Sequence, residues 1–410
     1  MVTGLGRGVI LALLVAAAAL AGACRGIAGI RSITYEASEA GDATADAEGD
    51  AGDDAPPETS TDGACPTVST TLVSTPDYLD EVSLDDAGFI YFDLPLVAPT
   101  GPMTNGGVVR CPTGGCKSLQ NVYAASANSS WADYDLSPAK VYYALLGAYV
   151  TGGAPDGGDM IQPGELGTVG LDGTNPQTFA VATYPDWVAV VGSDLFWFND
   201  PGSGGDPNAD SGTWLQCPLA GCPPDDAGMP GTPWVTGISS VFQVLSDSKN
   251  LYFVAEAASS GGGLANLYAC SRSTPCGDVD GPNVRTLVLG IDDTGTTSTF
   301  DFTNDDTAIY GTYLQIQGSI VKVDSATGST TTLATKQSGP MAFAVDGPYL
   351  YWAAGASNIY RTLTSGKGPL ETVTCGQPNV DNITIDAQYI YFTAQGSGQS
   401  VDVRRIPKPQ

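Results

Sequence analysis

The sequence predicts an all-β fold, a seven-bladed β-propeller in which four-stranded antiparallel blades close into a ring. Three observations predict it. Glycine (52) and proline (28) are abundant in the 410 residues, charged residues make up only 15%, and no long stretch has the apolar spacing of a helix. A strand motif of an aliphatic residue followed by aromatic residues recurs along the chain. The two ends of the chain carry complementary parts of one repeat.

The strand motif occurs seven times, each time after a short turn rich in Asp, Gly, Ser or Asn. Its aliphatic positions are Ile90, Val141, Leu195, Leu251, Ile309, Leu350 and Ile390. The last two steps are about 40 residues long, which is the length of one four-stranded propeller blade. The earlier steps are longer because they contain Gly/Pro/Asp-rich insertions between residues 94 and 300, which we interpret as loops within blades.

Each repeat has the same internal order of strands. A short apolar strand comes first, then the turn and the aromatic strand, then a third strand such as "SNIYRT". The fourth strand is rich in Thr and Val, as in "STTTLAT" (Ser329 to Thr335) and "ETVTC" (Glu371 to Cys375). β-Branched residues fit the half-buried outer edge of a blade, so we assign this strand to the outside of the ring.

The last repeat ends at "SVDVRRIPKPQ" and lacks a fourth strand. The segment "PTVSTTLVST" (Pro66 to Thr75) resembles a fourth strand and precedes the first complete blade. We therefore expect the N-terminal strand to complete the last blade. This closure would remove the open sheet edges of the ring, which otherwise favour aggregation.

Three regions are predicted: a signal peptide (1–23), an acidic disordered linker (24–64) and the propeller (65–410). Arg7 and an apolar run from Val9 to Leu20 precede "AGA", which is typical of an export signal. The sequence fits two cleavages, by ordinary signal peptidase after Ala23 or at a bacterial lipobox ending in Cys24. The acidic linker behind Cys24 would hold a membrane-anchored domain clear of the surface, and this favours lipidation of Cys24.

The nine cysteines support the same interpretation, because removing Cys24 leaves eight in an exported chain. Six lie in close pairs whose spacing is not that of a zinc site, and the chain has no histidine to complete one. We predict disulfides that staple hairpins, the first cysteine ending one strand and the second beginning the next. The pairs are Cys111 with Cys116, Cys217 with Cys222 and Cys270 with Cys276, and Cys65 with Cys375 is left as a candidate long-range pair.

Composition excludes several functions. A net charge of -28 with only 16 basic residues opposes nucleic-acid binding and leaves a lipid anchor as the membrane contact. The absence of histidine excludes Ser-His-Asp and Cys-His nucleophiles, a histidine base and His-ligated metals. Paired carboxylates stay open, although no motif fixes their separation. We expect no cofactor and no catalytic residue.

Two weaker site candidates were weighed against structural interpretations. One is a calcium-loop start in which oxygen ligands alternate; because its glycine comes late, at Gly212, and the bidentate acid is missing, an ordinary polar loop is favoured. The other is a set of aromatics that could stack on sugars, for which packing between blades is favoured. The residues concerned are Asp206, Asn208 and Asp210 for calcium, and Tyr134, Trp187, Trp214 and Trp234 for sugars. Tyr349, in the turn before an aromatic strand, is expected to be exposed.

The segments "LYWAAGASNIYRTLTSG" and "LFWFNDPGSG" followed by "GTWLQC" resemble YWTD and NHL-type propeller repeats, including low-density-lipoprotein-receptor-like propellers. The chain from residue 66 to 410 resembles a group of exported bacterial lipoproteins with an acidic linker and such repeats. Asp follows the aromatic pair in none of the "LYW" or "LYF" copies, so the receptor family's ligand residues have no counterpart. Virginiamycin-lyase-type propellers are also similar, but their catalytic histidine is absent.

These observations predict a monomeric lipoprotein of the bacterial cell envelope, at the outer membrane, that is not an enzyme. It would bind a protein or glycan through blade loops, since propellers present insertions around a rigid ring. The longer insertions place the contact surface on blades one to four. The alternative is a polysaccharide hydrolase or lyase that uses carboxylates in the central channel.

Overall fold

The computed structural model describes residues 68–76, 79, 81–94, 106–125, 130–147, 149–150, 160–161, 164–182, 185–199, 212–222, 230–257, 264–292, 301–312, 318–355, 357–397 and 400–409. Within these residues the secondary structure is all β, with no helix. Accordingly, no helix in this part of the chain is long and apolar enough to cross a membrane. The signal peptide, Cys24 and the acidic linker lie outside the described residues and stay predictions.

The strands form seven four-stranded antiparallel blades arranged as a propeller, as predicted. The first strand, β1 (Thr70–Thr75), belongs to the last blade. Blade 1 contains β2 (Val82–Leu84), β3 (Phe89–Leu94), β4 (Gly107–Pro112) and β5 (Gln120–Ala124). Blade 2 contains β6 (Ser130–Leu136), β7 (Lys140–Gly147), β10 (Gly164–Gly170) and β11 (Gln177–Ala182), with a small hairpin of β8 (Tyr149–Val150) and β9 (Met160–Ile161).

Blades 3 and 4 share one long strand. Blade 3 contains β12 (Pro185–Val191), β13 (Asp194–Asn199), β14 (Gly212–Pro218) and the first half of β15 (Thr232–Ser246). Blade 4 contains the second half of β15, then β16 (Asn250–Ala257), β17 (Leu264–Ser271) and β19 (Val284–Asp292), with β18 (Gly277–Asp278) parallel to β15. Two separate strands were expected here. Gly237, with φ of 80°, lets β15 bend from one blade into the next without a loop.

The remaining blades follow the predicted repeat of about 40 residues. Blade 5 contains β20 (Asp301–Asn304), β21 (Ala308–Thr312), β22 (Ile320–Asp324) and β23 (Thr330–Ala334). Blade 6 contains β24 (Met341–Asp346), β25 (Tyr349–Ala354), β26 (Asn358–Leu363) and β27 (Glu371–Thr374). Blade 7 contains β28 (Val380–Ile385), β29 (Tyr389–Gln395) and β30 (Val401–Pro407).

The ring closes at blade 7 as the two chain ends predicted. β1 pairs antiparallel with β30, in the register Thr70 opposite Arg405 and Thr75 opposite Val401. Side chains reinforce the pairing, because the Ser74 hydroxyl donates to Asp402 Oδ1 at 2.5 Å. The last blade therefore takes its outermost strand from the beginning of the propeller region.

Hydrophobic clusters fill the wedge between each pair of neighbouring blades. Successive residues of a strand point to opposite faces, so an aromatic pair serves two wedges at once. Tyr351 packs between blades 6 and 7, whereas Trp352 packs between blades 5 and 6, and both are buried. The repeated aromatic motif is therefore a packing feature.

The three close cysteine pairs are disulfides, with Cα–Cα distances of 5.8 Å (Cys111–Cys116), 5.2 Å (Cys217–Cys222) and 6.0 Å (Cys270–Cys276). The predicted geometry was wrong for two pairs, because Cys116 and Cys222 lie in the connection and not at the start of the next strand, whereas β18 begins directly after Cys276. Two of the loops bond to the outer strand of the preceding blade: the Cys116 backbone N–H donates to Leu72 O, and that of Cys276 donates to Trp234 O.

Cys375 is also disulfide-bonded. The other described cysteines pair with one another, and the predicted partner, Cys65, lies outside the described residues. Ser69, four residues after Cys65, donates a hydrogen bond to Gln377 at 3.0 Å. This contact brings the two ends of the propeller close together near Cys375, and the pairing of Cys65 with Cys375 stays our prediction.

Candidate functional site

The aromatics considered for sugar stacking belong to the packing between blades. Tyr134, Trp214 and Trp234 are buried, and Trp187 is half-buried, with its indole N–H donating to Val241 O at 3.1 Å. Tyr349, expected to be exposed, is half-buried, and the Arg361 guanidinium lies 4.3 Å from its ring centroid. A basic residue on the neighbouring strand covers it, which the turn sequence alone did not reveal.

A turn aspartate holds the tyrosine of the aromatic strand in four blades. Its carboxylate accepts backbone N–H bonds within the turn and a bond from the tyrosine hydroxyl. The hydroxyl distances are 2.9 Å for Tyr91–Asp85, 2.5 Å for Tyr252–Asp247, 2.8 Å for Tyr310–Asp305 and 2.7 Å for Tyr391–Asp386. The sequence pattern predicts these acids only as turn residues. The signal was available, since Asp recurs five or six positions before Tyr.

Basic residues on the third strands connect neighbouring blades. Arg110, Arg361 and Arg405 each lie over an aromatic ring of the second strand and donate to a backbone carbonyl of the next blade. The acceptors are Leu171 O at 2.7 Å, Pro409 O at 3.1 Å and Thr113 O at 2.6 Å, respectively. The three guanidinium groups therefore form most of their contacts within the propeller.

Carboxyl groups converge at the inner end of the seam between blades 1 and 2. We call Glu81, Asp93 and Asp133 the inner acid cluster. Asp93 and Asp133 are buried, and Asp133 shares a hydrogen bond with the Glu81 carboxyl. Burial, and then the neighbouring Glu81 carboxylate, raise the pKa of Asp133 well above its usual range. Burial chiefly, and these carboxylates secondarily, also raise the pKa of the Tyr134 hydroxyl.

Asp133 also has a structural task. Its Oδ2 accepts the Val188 N–H at 3.0 Å, and Asp135 Oδ2 accepts the Val190 N–H at 2.6 Å. Both donors lie on the open edge of β12, the innermost strand of blade 3, so the two aspartates cap that edge. Burial raises the pKa of Asp135 to about 6, against the lowering effect of the N–H bonds it accepts.

At the opposite ends of strands β2 and β3 from Glu81 and Asp93, the same seam opens into a cleft of about 680 Å³, which we call the blade 1–2 cleft. It is lined by Phe89, Arg110, Lys140, Asp172, Asn175 and Gln177, among others. Except for Arg110, which stands on β4, these residues belong to turns or to the strand ends beside them. A volume of this size is in the range of small-ligand pockets.

Blade 2 has no disulfide loop beside this cleft. In blades 1, 3 and 4 the connection between the third and fourth strands is closed by a disulfide and packs on the preceding blade. Blade 2 makes this connection with the short turn of residues 171–176, which holds no cysteine. The innermost strands β2 and β6 also make little contact with each other. The turn of blade 2 still contacts blade 1, because Gly173 lies against the Val122 carbonyl of β5 and Leu171 O accepts hydrogen bonds from Tyr91 and Arg110.

The predicted calcium ligands and the predicted lipidation site lie outside the described residues. Asp206, Asn208 and Asp210 lie between β13 and β14 in residues that the structure does not describe, and so does the lipidation site Cys24. Within the described ranges, no group of three or more His, Cys, Asp or Glu residues is arranged to hold a metal ion. The inner acid cluster and the blade 1–2 cleft are therefore the two candidate functional sites among the described residues.

No protein-family model and no curated protein sequence matches the chain. Solved structures share its fold. A puromycin hydrolase matches with a TM-score of 0.53 and 13% identity over 78% of this chain, which spans 50% of the hydrolase. Virginiamycin B lyase from Staphylococcus aureus matches with a TM-score of 0.50 and 11% identity, over 84% of this chain and 99% of the lyase. At these identities the likeness establishes the propeller fold alone.

Proposed function

We propose that this chain is a non-enzymatic binding module of the bacterial cell envelope. It would be exported, anchored at the outer membrane through a lipid on Cys24, and would contact a protein or glycan through blades 1 to 4. The mass of the mature N-terminus tests the anchor, since a diacylglyceryl group on Cys24 is expected and an unmodified cysteine would contradict it.

The observation that carries the binding role is the blade 1–2 cleft. The aromatic pairs, the turn aspartates and most basic side chains of the blades are committed to packing or to hydrogen bonds within the ring. The cleft, in contrast, presents exposed side chains such as Lys140, Asn175 and Gln177 at a concave surface. Concave sites with a few convergent polar groups are the usual place for a ligand.

The absence of histidine supports a role without catalysis. A histidine-to-alanine variant of the structurally similar virginiamycin B lyase is described as catalytically inactive. This chain contains no histidine, so chemistry that depends on such a residue is unavailable to it. All seven second-strand motifs also contain a buried tyrosine or phenylalanine, which packs within the ring.

A second candidate is a carboxylate-dependent polysaccharide hydrolase or lyase, which the inner acid cluster favours. A raised carboxyl pKa beside an ionised neighbour is a common arrangement for general acid–base catalysis. Against it, Asp133 uses both oxygens to accept backbone N–H groups, from Tyr134 at 2.8 Å and Val188 at 3.0 Å. We therefore rank the binding role first.

One panel experiment separates the two roles. The mature chain is tested for binding to envelope proteins, peptidoglycan fragments and polysaccharides, and the same mixtures are analysed by chromatography for products. The binding role predicts capture without product formation. Product that disappears in Glu81→Gln and Asp133→Asn, but persists in the surface variant Lys367→Gln, would establish the enzyme instead.

A further inference from the structure

The charged side chains that line the blade 1–2 cleft balance one another. The lining contains two carboxylates, Asp85 and Asp172, and two cations, Lys140 and Arg110. A ligand with a net charge would lose part of its hydration on entering the cleft and would gain no net attraction from this lining. An anion would in addition meet the negative field of a chain whose net charge is -28. The electrostatics of the cleft therefore favour an uncharged ligand.

Several polar groups of the cleft remain available to a ligand. The side chains of Lys140, Asn175 and Gln177 are exposed, and none of them forms a hydrogen bond with a described residue. Asp172 uses Oδ1 to accept the N–H and the hydroxyl of Thr174, at 3.0 and 2.6 Å. Its Oδ2 accepts no hydrogen bond from the described part of the chain. Donors and acceptors are thus both available at one concave surface.

We propose that the blade 1–2 cleft binds an uncharged oligosaccharide. This inference rests on the binding role proposed above and names the ligand class for it. Each sugar hydroxyl can donate and accept. The amides of Asn175 and Gln177 do the same, while Lys140 donates and Asp172 accepts. Hydrogen bonds to the two charged groups are stronger than neutral ones, and they require no charge on the ligand.

The rest of the lining suits a sugar better than an apolar ligand or a peptide. Pro138 and Leu171 offer apolar surface to the C–H groups of a sugar ring, but pockets for apolar ligands are lined predominantly by such side chains. An extended peptide binds best along an open strand edge, where backbone groups give most of the affinity. The cleft is lined instead by turns, residues 85–89, 138–140 and 170–177.

The test measures the affinity of the mature chain for uncharged hexasaccharides of glucose, mannose and N-acetylglucosamine by isothermal titration calorimetry. Hexamers of galacturonate and of glucosamine serve as the anionic and the cationic comparison ligands. A glycine-serine peptide with blocked ends serves as an uncharged peptide. These ligands separate the effect of charge from the effect of the sugar hydroxyls.

Two matched variants locate the binding site. Asn175→Gly removes one lining amide without straining the turn, because Asn175 has a φ of 53°, in the left-handed region that glycine adopts freely. Asn379→Gly is the control. It makes the same change at a φ of 45°, directly before β28 of blade 7, at a residue that does not line the cleft.

The proposal predicts that at least one uncharged hexasaccharide binds with a Kd of about 1 mM or tighter, and that both charged hexamers bind at least about fivefold more weakly. Asn175→Gly should weaken binding by about fivefold, the loss expected for one hydrogen bond, and Asn379→Gly should leave it unchanged. Equal or tighter binding of a charged hexamer or of the peptide, equal effects of the two variants, or no binding of an uncharged sugar would each overturn this ligand assignment. The binding role itself would fail separately, on product formation or on a panel with no ligand.

Discussion

Aspartates in this ring stand in two opposite electrostatic environments. Burial raises the pKa of Asp386, but hydrogen bonds from the Tyr391 hydroxyl and from backbone N–H groups lower it by more. Its carboxylate form is therefore stabilised in the fold. Asp133, fully enclosed beside Glu81, has its pKa raised, so the fold favours its protonated form. An ionised Asp386 therefore stabilises blade 7 at neutral pH, whereas an ionised Asp133 destabilises the seam between blades 1 and 2.

The sign of the pH dependence follows for Asp133. A carboxyl whose pKa is raised on folding contributes stability below its unfolded pKa of about 4, and this contribution is lost as the pH rises through the folded pKa. Asp133→Asn removes the charge, but its amide can no longer accept both the Tyr134 and the Val188 N–H, which lowers stability at every pH. We expect the stability of this variant relative to the natural protein to rise between pH 4 and pH 8, by on the order of 1 kcal/mol. Urea unfolding across this pH range measures it.

Asp386→Asn is the control of opposite sign. Because the pKa of Asp386 is lowered, its contribution is present above the unfolded pKa and is lost as the pH falls through the folded pKa. The variant should therefore be less stable than the natural protein at pH 8. If the stability of Asp133→Asn relative to the natural protein did not rise from pH 4 to pH 8, the like-charge account of the inner acid cluster would be wrong.

At the scale of elements, neighbouring blades are held together by hydrogen bonds from turns as well as by the hydrophobic clusters in the wedges. The disulfide loop of blade 4 reaches blade 3 through two backbone bonds, from Cys276 to Trp234 O at 2.8 Å and from Val279 to Thr236 O at 2.9 Å. The corresponding turn of blade 2 lacks a disulfide. Its N–H of Gly173 bonds only within the turn, to Gly170 O at 2.8 Å. The Leu171 carbonyl of this turn instead accepts hydrogen bonds from the Tyr91 and Arg110 side chains of blade 1.

Replacing Cys270 and Cys276 by serine together should lower the free energy of unfolding by about 2 kcal/mol, the chain-entropy value for so short a loop. The amide hydrogens of Cys276 and Val279 should then exchange faster, because their acceptors lie across the seam. Urea unfolding and hydrogen exchange measure both effects. The double variant of Cys111 and Cys116 should act at the blade 7–1 seam instead, and faster exchange spread over all blades would contradict a local role.

At the scale of the molecule, the sequence was sufficient to predict the ring and its closure. The number of aromatic motifs gives the number of blades, because each blade places large side chains into the wedges on both of its faces. The complementary ends predicted the pairing of β1 with β30. The continuous strand β15 was not predicted, since Gly237 looks like an ordinary turn residue until its partners are known.

The candidate site was less predictable for a physical reason. Glu81, Asp93 and Asp133 are distant in the chain, and only the neighbouring positions of blades 1 and 2 bring them together. The blade 1–2 cleft is lined by three turns that are distant in the chain, residues 85–89, 138–140 and 170–177, so no local motif signals it. The turn aspartates could have been recognised, since their spacing to tyrosine is constant in three of the blades.

The central claim is that ligand contact takes place at the blade 1–2 seam. Hydrogen exchange of the mature chain, alone and saturated with the ligand that binds best in the panel, tests it most directly. We predict slower exchange on binding in the turns of residues 85–89 and 170–177 and little change in blades 5 and 6. Protection confined to another seam, with these turns unaffected, would contradict the account.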